Sequence, residues 1–198
     1  MNPFKSILKL TILCNITYSV EAQNLKYPVI ISLFNEATAI PFTKFITIPI
    51  HPGLRVGTEF KLKDGKLIKL YQTTNLGYYY HQHLAQSIFI GTETAIEVKL
   101  KGWKSAVKIG VAYLHVFRTA QSYKLINEEY VPAPDWGNPR IMPSLSIQTG
   151  YFFNSKPLPL EIFIEYQSWM EYPYSPGFIP LMTHINLHVG CKFYLFNK

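Results

Sequence analysis

The chain has 198 residues with 48% hydrophobic side chains, enough for one folded body, which excludes intrinsic disorder. Only 16% of residues are charged, below the roughly 25% of ordinary soluble domains, and 15% are aromatic, so the polar coat is thin for a water-soluble protein. The net charge of +7 favours anionic neighbours. No run reaches the ~18 uninterrupted apolar residues of a spanning helix, so any membrane part must be made of strands.

Residues 1–22 resemble a secretory leader: Lys5 and Lys9 precede a short apolar core, and Val20-Glu21-Ala22 offers a cleavage site before Gln23. Its removal leaves 17 basic and 11 acidic residues, a charge of +6. Cys14 leaves with it, so Cys191 stands alone and no intramolecular disulfide can form. An exported basic chain meets lipopolysaccharide or acidic lipid, and nucleic acid is excluded as a partner. Residues 23–53 carry Tyr27–Phe34 and Phe45–Ile50, interrupted by Pro41, Pro49 and Pro52. They read as a periplasmic or lumen-plugging segment, with an additional strand as the alternative.

From Leu54 a single theme repeats: an alternating stretch of about ten residues, then a Gly, Pro, Asn or Asp break. The stretches are Leu54–Leu62, Lys66–Tyr80, Leu84–Leu100, Lys104–Arg118, Ser122–Val131, Ile141–Phe153, Pro159–Glu171 and Met182–Phe196. Their number is even and their length suits a tilted membrane strand, so residues 54–198 are expected to form an eight-stranded antiparallel up-and-down transmembrane β-barrel. In the seventh stretch Leu160, Ile162 and Ile164 share one face opposite Glu161, Glu165 and Gln167. In the eighth, Ile185, Leu187 and Val189 oppose His184, His188 and Lys192. A barrel in lipid turns the first set outward and the second inward. The Pro-rich connections Glu129 to Arg140 and Glu171 to Leu181 then fall on the outer side, and Trp103, Tyr151 and Phe153 at strand ends suit an interfacial girdle.

Parity places Arg55, Glu59, Lys61, Glu93, Glu97, Lys108, Glu161, Glu165, His184, His188 and Lys192 in the lumen. The interior of so small a barrel is only wide enough to be filled by side chains, so these nearly balanced charges are expected to form a hydrogen-bonded polar core. Glu161 with Glu165, and Glu93 with Glu97, are spaced for acid and base work, yet cations are close at hand to pair them. His81 with His83, and His184 with His188, are spaced to share a face, but no third ligand is fixed by spacing, and neither a metal nor a cofactor is expected. Cys191 on the lipid face reads as a small hydrophobe. There is no Gly-x-Ser-x-Gly elbow, phosphate loop, dinucleotide fingerprint or Cys-x-x-Cys pair, so no catalytic residue is assigned.

Five short signatures carry a resemblance: Leu33-Phe34-Asn35-Glu36-Ala37-Thr38, His51-Pro52-Gly53-Leu54-Arg55-Val56-Gly57-Thr58-Glu59, Asn75-Leu76-Gly77-Tyr78-Tyr79-Tyr80-His81, Gly110-Val111-Ala112-Tyr113-Leu114-His115 and Pro180-Leu181-Met182-Thr183-His184. In these the chain resembles a group of uncharacterised small barrel proteins from the outer membranes of Bacteroidota. The resemblance implies an outer-membrane barrel and no chemistry. The expected role is structural or binding, through Trp136, Arg140, Tyr172, Tyr174 and Phe178 of the outer loops. Membrane lipid, lipopolysaccharide and a larger outer-membrane complex are the expected partners. The alternatives are a lipid-A- or phospholipid-modifying enzyme, and a narrow channel or accessory subunit of an outer-membrane transporter.

Overall fold

The computed structural model describes residues 27–81, 85–119, 121–126, 129–154, 159–175 and 177–194; the leader read in residues 1–22 lies outside them. The strands are β1 (Pro28–Thr38), β2 (Pro52–Asp64), β3 (Ile68–Tyr80), β4 (Ala85–Leu100), β5 (Trp103–Arg118), β6 (Ser122–Ile126), β7 (Glu129–Ala133), β8 (Asn138–Phe153), β9 (Leu160–Glu171) and β10 (Met182–Tyr194). Eight of them close a barrel in the order β1-β10-β9-β8-β5-β4-β3-β2, every neighbouring pair antiparallel. The seam is the β1–β10 ladder, which runs from Pro28 opposite Tyr194 to Thr38 opposite His184. Closure removes the free edges that lipid cannot satisfy.

The eightfold count agrees with the sequence reading, but the membership differs in two places. Residues 28–38, expected in a periplasmic or plug segment, are a wall strand and make the seam. Ser122–Val131, expected as the fifth wall strand, instead lies in the β6–β7 hairpin, which pairs only with itself. Five-residue strands are too short to cross a bilayer core, so this segment extends the β5–β8 connection beyond the wall. The exchange also reassigns the ends. The β2–β3, β4–β5 and β8–β9 connections now leave one end of the wall, and the β1–β2, β3–β4, β5–β8 and β9–β10 connections leave the other. The three longest connections therefore leave the same end. The tightest turn, Lys101-Gly102, has positive φ at both residues (47° and 93°), the two-residue hairpin geometry that matches strand twist.

Side chains are sorted inside out. Ile162, Ile164 and Val189 are 47–56% exposed on the outer wall, in company with Leu76, Ile90, Ile109 and Ile147. Glu161, Glu165, His188 and Lys192 are fully buried within. An apolar belt around the whole circumference far exceeds the few hundred Å² of contiguous patch that a soluble monomer tolerates. Glycines make room for rings in the narrow lumen: Gly53 and Gly77 point inward where the rings of Phe34 and Phe89 lie, and a Cβ at either position would collide with the ring.

The β1–β2 connection does not plug the lumen. It folds down the outside of the wall, where the rings of Phe42 and Phe45 each pack 5.2 Å from the ring of Tyr166. Tyr166 has outward parity on β9 and is nevertheless 9% exposed, and outward-facing Ile185 and Ala37 are covered with it. The wall holds part of the strap's backbone. Phe42 N donates to Tyr166 Oη (2.8 Å), and outward-facing Asn35 donates to the Thr47 carbonyl (3.0 Å) while accepting from His51 N (2.7 Å).

Candidate functional site

Alternation places every second wall residue in the lumen, and the register decides which of them meet. In the middle, Glu165 of β9 takes a bidentate pair from Arg55 of β2 (2.7 and 3.0 Å) and a third bond from Lys108 of β5 (2.6 Å). Glu93 of β4 lies 3.9 Å from Arg55 and 4.0 Å from Lys108, and accepts from Ser146, Gln167 and Asn75 at 3.1–3.3 Å. Toward the short-turn end, Lys192 of β10 sits 3.2 Å from both Glu59 and Glu161 and 3.9 Å from Glu97. Lys69 completes the shell of Glu59, and Lys104 (2.7 Å) with the Tyr194 hydroxyl (2.9 Å) completes that of Glu161. Buried ions are tolerated only when paired and hydrogen-bonded, and these strands supply partners from across the barrel.

Arg55, Glu59, Glu93, Glu97, Lys108, Glu161, Glu165, His184, His188 and Lys192 all lie inside. Lys61 does not. It keeps its register opposite inward Tyr71 but stands at the open end of β2, on the rim of the cavity there, where its side chain is 47% exposed and 3.8 Å from Asp64. The lumen is also less polar than parity suggested. Phe34, Tyr79, Phe89, Leu114, Val116, Met142 and Trp169 form an apolar layer inside the barrel, between the central ion pairs and the long-loop mouth. A lumen closed to water is a packed core, so inward positions accept aliphatic and aromatic groups as readily as paired charges.

Above that layer the mouth is lined by a chain of charges. Arg140 pairs with Glu171, Glu171 contacts His184 Nε2 (3.1 Å), and His184 Nδ1 contacts Glu36 (2.8 Å). The His184 ring stacks on Trp169 with centroids 4.1 Å apart. A cavity of about 250 Å³ opens here, lined by Glu36, His81, Arg118, Arg140, Glu171 and His184 among others. A second cavity, about 560 Å³, opens at the short-turn end beside Glu59, Lys69, Glu97 and Lys104. Between the two lie Arg55, Lys108, Glu165 and Lys192, none more than 3% exposed, so the described side chains seal the lumen.

Of the loop residues singled out from sequence, Trp136 and Phe178 project freely at 83% and 81% exposure. Tyr172, 49% exposed, continues the wall by a two-bond bridge to Ile141. Arg140 is no loop contact: β8 begins at Asn138, before the expected Ile141, so Arg140 turns into the mouth, 11% exposed, over the ring of half-buried Tyr174. The His184 and His188 rings serve different layers, His188 lying deeper against Phe34, and His83 is outside the described residues. Sequence reasoning passed over Glu36 and His51, which the fold brings beside His81. No spacing rule links residues that meet only because three strand ends share a rim.

A greasy exterior, an ion-paired interior and closure by eight antiparallel strands define the class as the eight-stranded barrel of outer-membrane type. No family model and no curated protein matches the chain. Among solved structures it is similar to Neisserial surface protein A, with 10% identity and a TM-score of 0.55 over 86% of this chain and 98% of that one. Weaker likenesses are the outer membrane enzyme PagL (9% identity, TM-score 0.45, 84% and 99% covered) and Ail, the attachment invasion locus protein of Yersinia pestis (9%, 0.44, 84% and 96%). At these identities the likeness concerns the fold alone.

Proposed function

We propose that the protein is a closed outer-membrane anchor of a Gram-negative cell, exported by its leader, whose long-loop end is the working surface. It presents the β6–β7 hairpin and the exposed rings of Trp136 and Phe178 to lipopolysaccharide or to a larger outer-membrane complex. The observation that carries this reading is the seal: with Arg55, Lys108, Glu165 and Lys192 buried in ion pairs, nothing the size of a solute passes, which disfavours the channel alternative. What is left to act with is surface. Four exposed lysines, Lys61, Lys63, Lys66 and Lys101, ring the short turns at the opposite end, a placement suited to the acidic phospholipid headgroups of the inner leaflet.

Two measurements test this together. Purified protein in planar bilayers is expected to stay electrically silent, and discrete conductance steps would refute the sealed lumen. A photo-crosslinking residue at position 136 or 178 in living cells is expected to give a discrete adduct that one at position 164 does not. Absence of any adduct from both loop positions would refute the working surface.

A further inference from the structure

We propose that Glu36, His51 and His81 form a binding site for a divalent transition-metal ion of the zinc class at the long-loop mouth. Glu36 stands near the end of β1, His51 immediately precedes β2, and His81 immediately follows β3, so three strand ends converge on one rim. One ligand atom from each lies within 4.8 Å of the others. Donors around a tetrahedral zinc sit about 3.3 Å apart, given bonds of roughly 2.0 Å, so an ion would draw these atoms closer together. The two imidazoles lie close together, stacked with centroids 3.5 Å apart and 23° from parallel, and their rings must turn out of the stack for both in-plane lone pairs to reach one ion.

A second observation concerns the carboxylate. Glu36 is 1% exposed, and its Oε2, 3.9 Å from His51 Nδ1, has no hydrogen-bond partner among the described residues. A buried carboxylate oxygen without a donor is costly, and a cation supplies what the protein does not. Everything behind it is fixed. The other oxygen of Glu36 is held by His184, His184 by Glu171, and Glu171 by Arg140. His51 is held through its backbone N–H by Asn35 (2.7 Å) and through its ring by the Glu36 carbonyl (3.0 Å). Such outer partners orient metal ligands. Two imidazoles and one carboxylate suit zinc and its neighbours in the first transition row over magnesium or calcium, which prefer all-oxygen shells. Three protein ligands leave a fourth position, toward the 250 Å³ cavity with Arg118 and Arg140 on its wall, for water or an anionic group. A bound ion would also staple both feet of the external strap, Glu36 and His51, to the β3–β4 connection.

The test uses untagged, metal-stripped mature protein in detergent, titrated with Zn²⁺ and, for its ligand-field absorption, with Co²⁺. One saturable site is expected, with a Co²⁺ spectrum of nitrogen and oxygen ligation and a Tm that rises with Zn²⁺. Glu36→Gln, His51→Ala and His81→Ala should each weaken binding by at least tenfold. His115→Ala should leave it unchanged, because His115 lies on the outer wall against Trp136. Heat-modifiable gel migration confirms that each variant is a barrel, and His51→Gln replaces His51→Ala if the latter does not fold. Parent-like affinity in Glu36→Gln, a parent that binds no better than the His51→Ala/His81→Ala double variant, or a thiolate spectrum from Cys191 would each overturn the site.

Discussion

Glu165 shows how a single side chain organises the lumen. It is fully buried and takes three bonds from two cations on opposite walls. Replacing it by Gln keeps the shape but leaves Arg55 and Lys108 only the more distant carboxylate of Glu93. Breaking one side of a buried pair costs about 3–5 kcal/mol. Glu165→Gln should therefore lower the free energy of unfolding, measured by urea titration in phospholipid vesicles, by that much, and a loss under about 1 kcal/mol would show that water reaches the cations. That Arg55 and Glu165 face inward was legible from parity. That they meet was not, because they are 110 residues apart and the register between distant strands leaves no trace in either strand's own pattern. Glu36 was missed for a related reason: it lay in a segment read as a plug, so its inward parity was never used.

Among the elements, the strands with clean contrast were readable and the mixed ones were not. β9 and β10 separate aliphatic from charged residues and stand as expected. β1 points Ile30 and Phe34 inward with Ser32 and Glu36, so its two faces differ little in polarity and its membership of the wall was hidden. Ser122–Val131 alternated enough to imitate a strand, though Asn127-Glu128-Glu129 already carried a turn's polarity. The inward Phe89 needs the bare backbone of Gly77 beneath it. Gly77→Val should cost about 1–3 kcal/mol by overpacking, and Phe89→Ala in the same chain should recover part of it. Additive losses would mean the two do not touch. The strap of residues 39–51 continues the lipid belt, with Ile46 and Ile48 at 75% and 90% exposure and its backbone held by Tyr166 and Asn35. A Trp introduced at Ile46 should be quenched by brominated lipid tails and spared by aqueous acrylamide. The opposite pattern would place the strap in water.

The complete barrel follows from one inversion: lipid takes the role that a hydrophobic core plays in a soluble sheet, and paired charges with a layer of rings fill the space within. The same inversion predicts that polar groups are penalised on the wall and tolerated in the lumen, the reverse of a soluble sandwich. Arg on the lipid face at mid-bilayer depth costs about 2–4 kcal/mol. Ile164→Arg should therefore be destabilising by this amount in vesicles, while a soluble protein with a side chain 52% exposed there would scarcely respond. The most direct measurement is a cysteine scan of β9 from residue 161 to 165, in a Cys191→Ser background, reconstituted in bilayers and labelled with an environment-sensitive dye. Positions 162 and 164 should label and be quenched by lipid-borne quenchers alone, and positions 161, 163 and 165 should resist both label and quencher. Aqueous quenching at 162 and 164, with lipid quenchers without effect, would contradict the account.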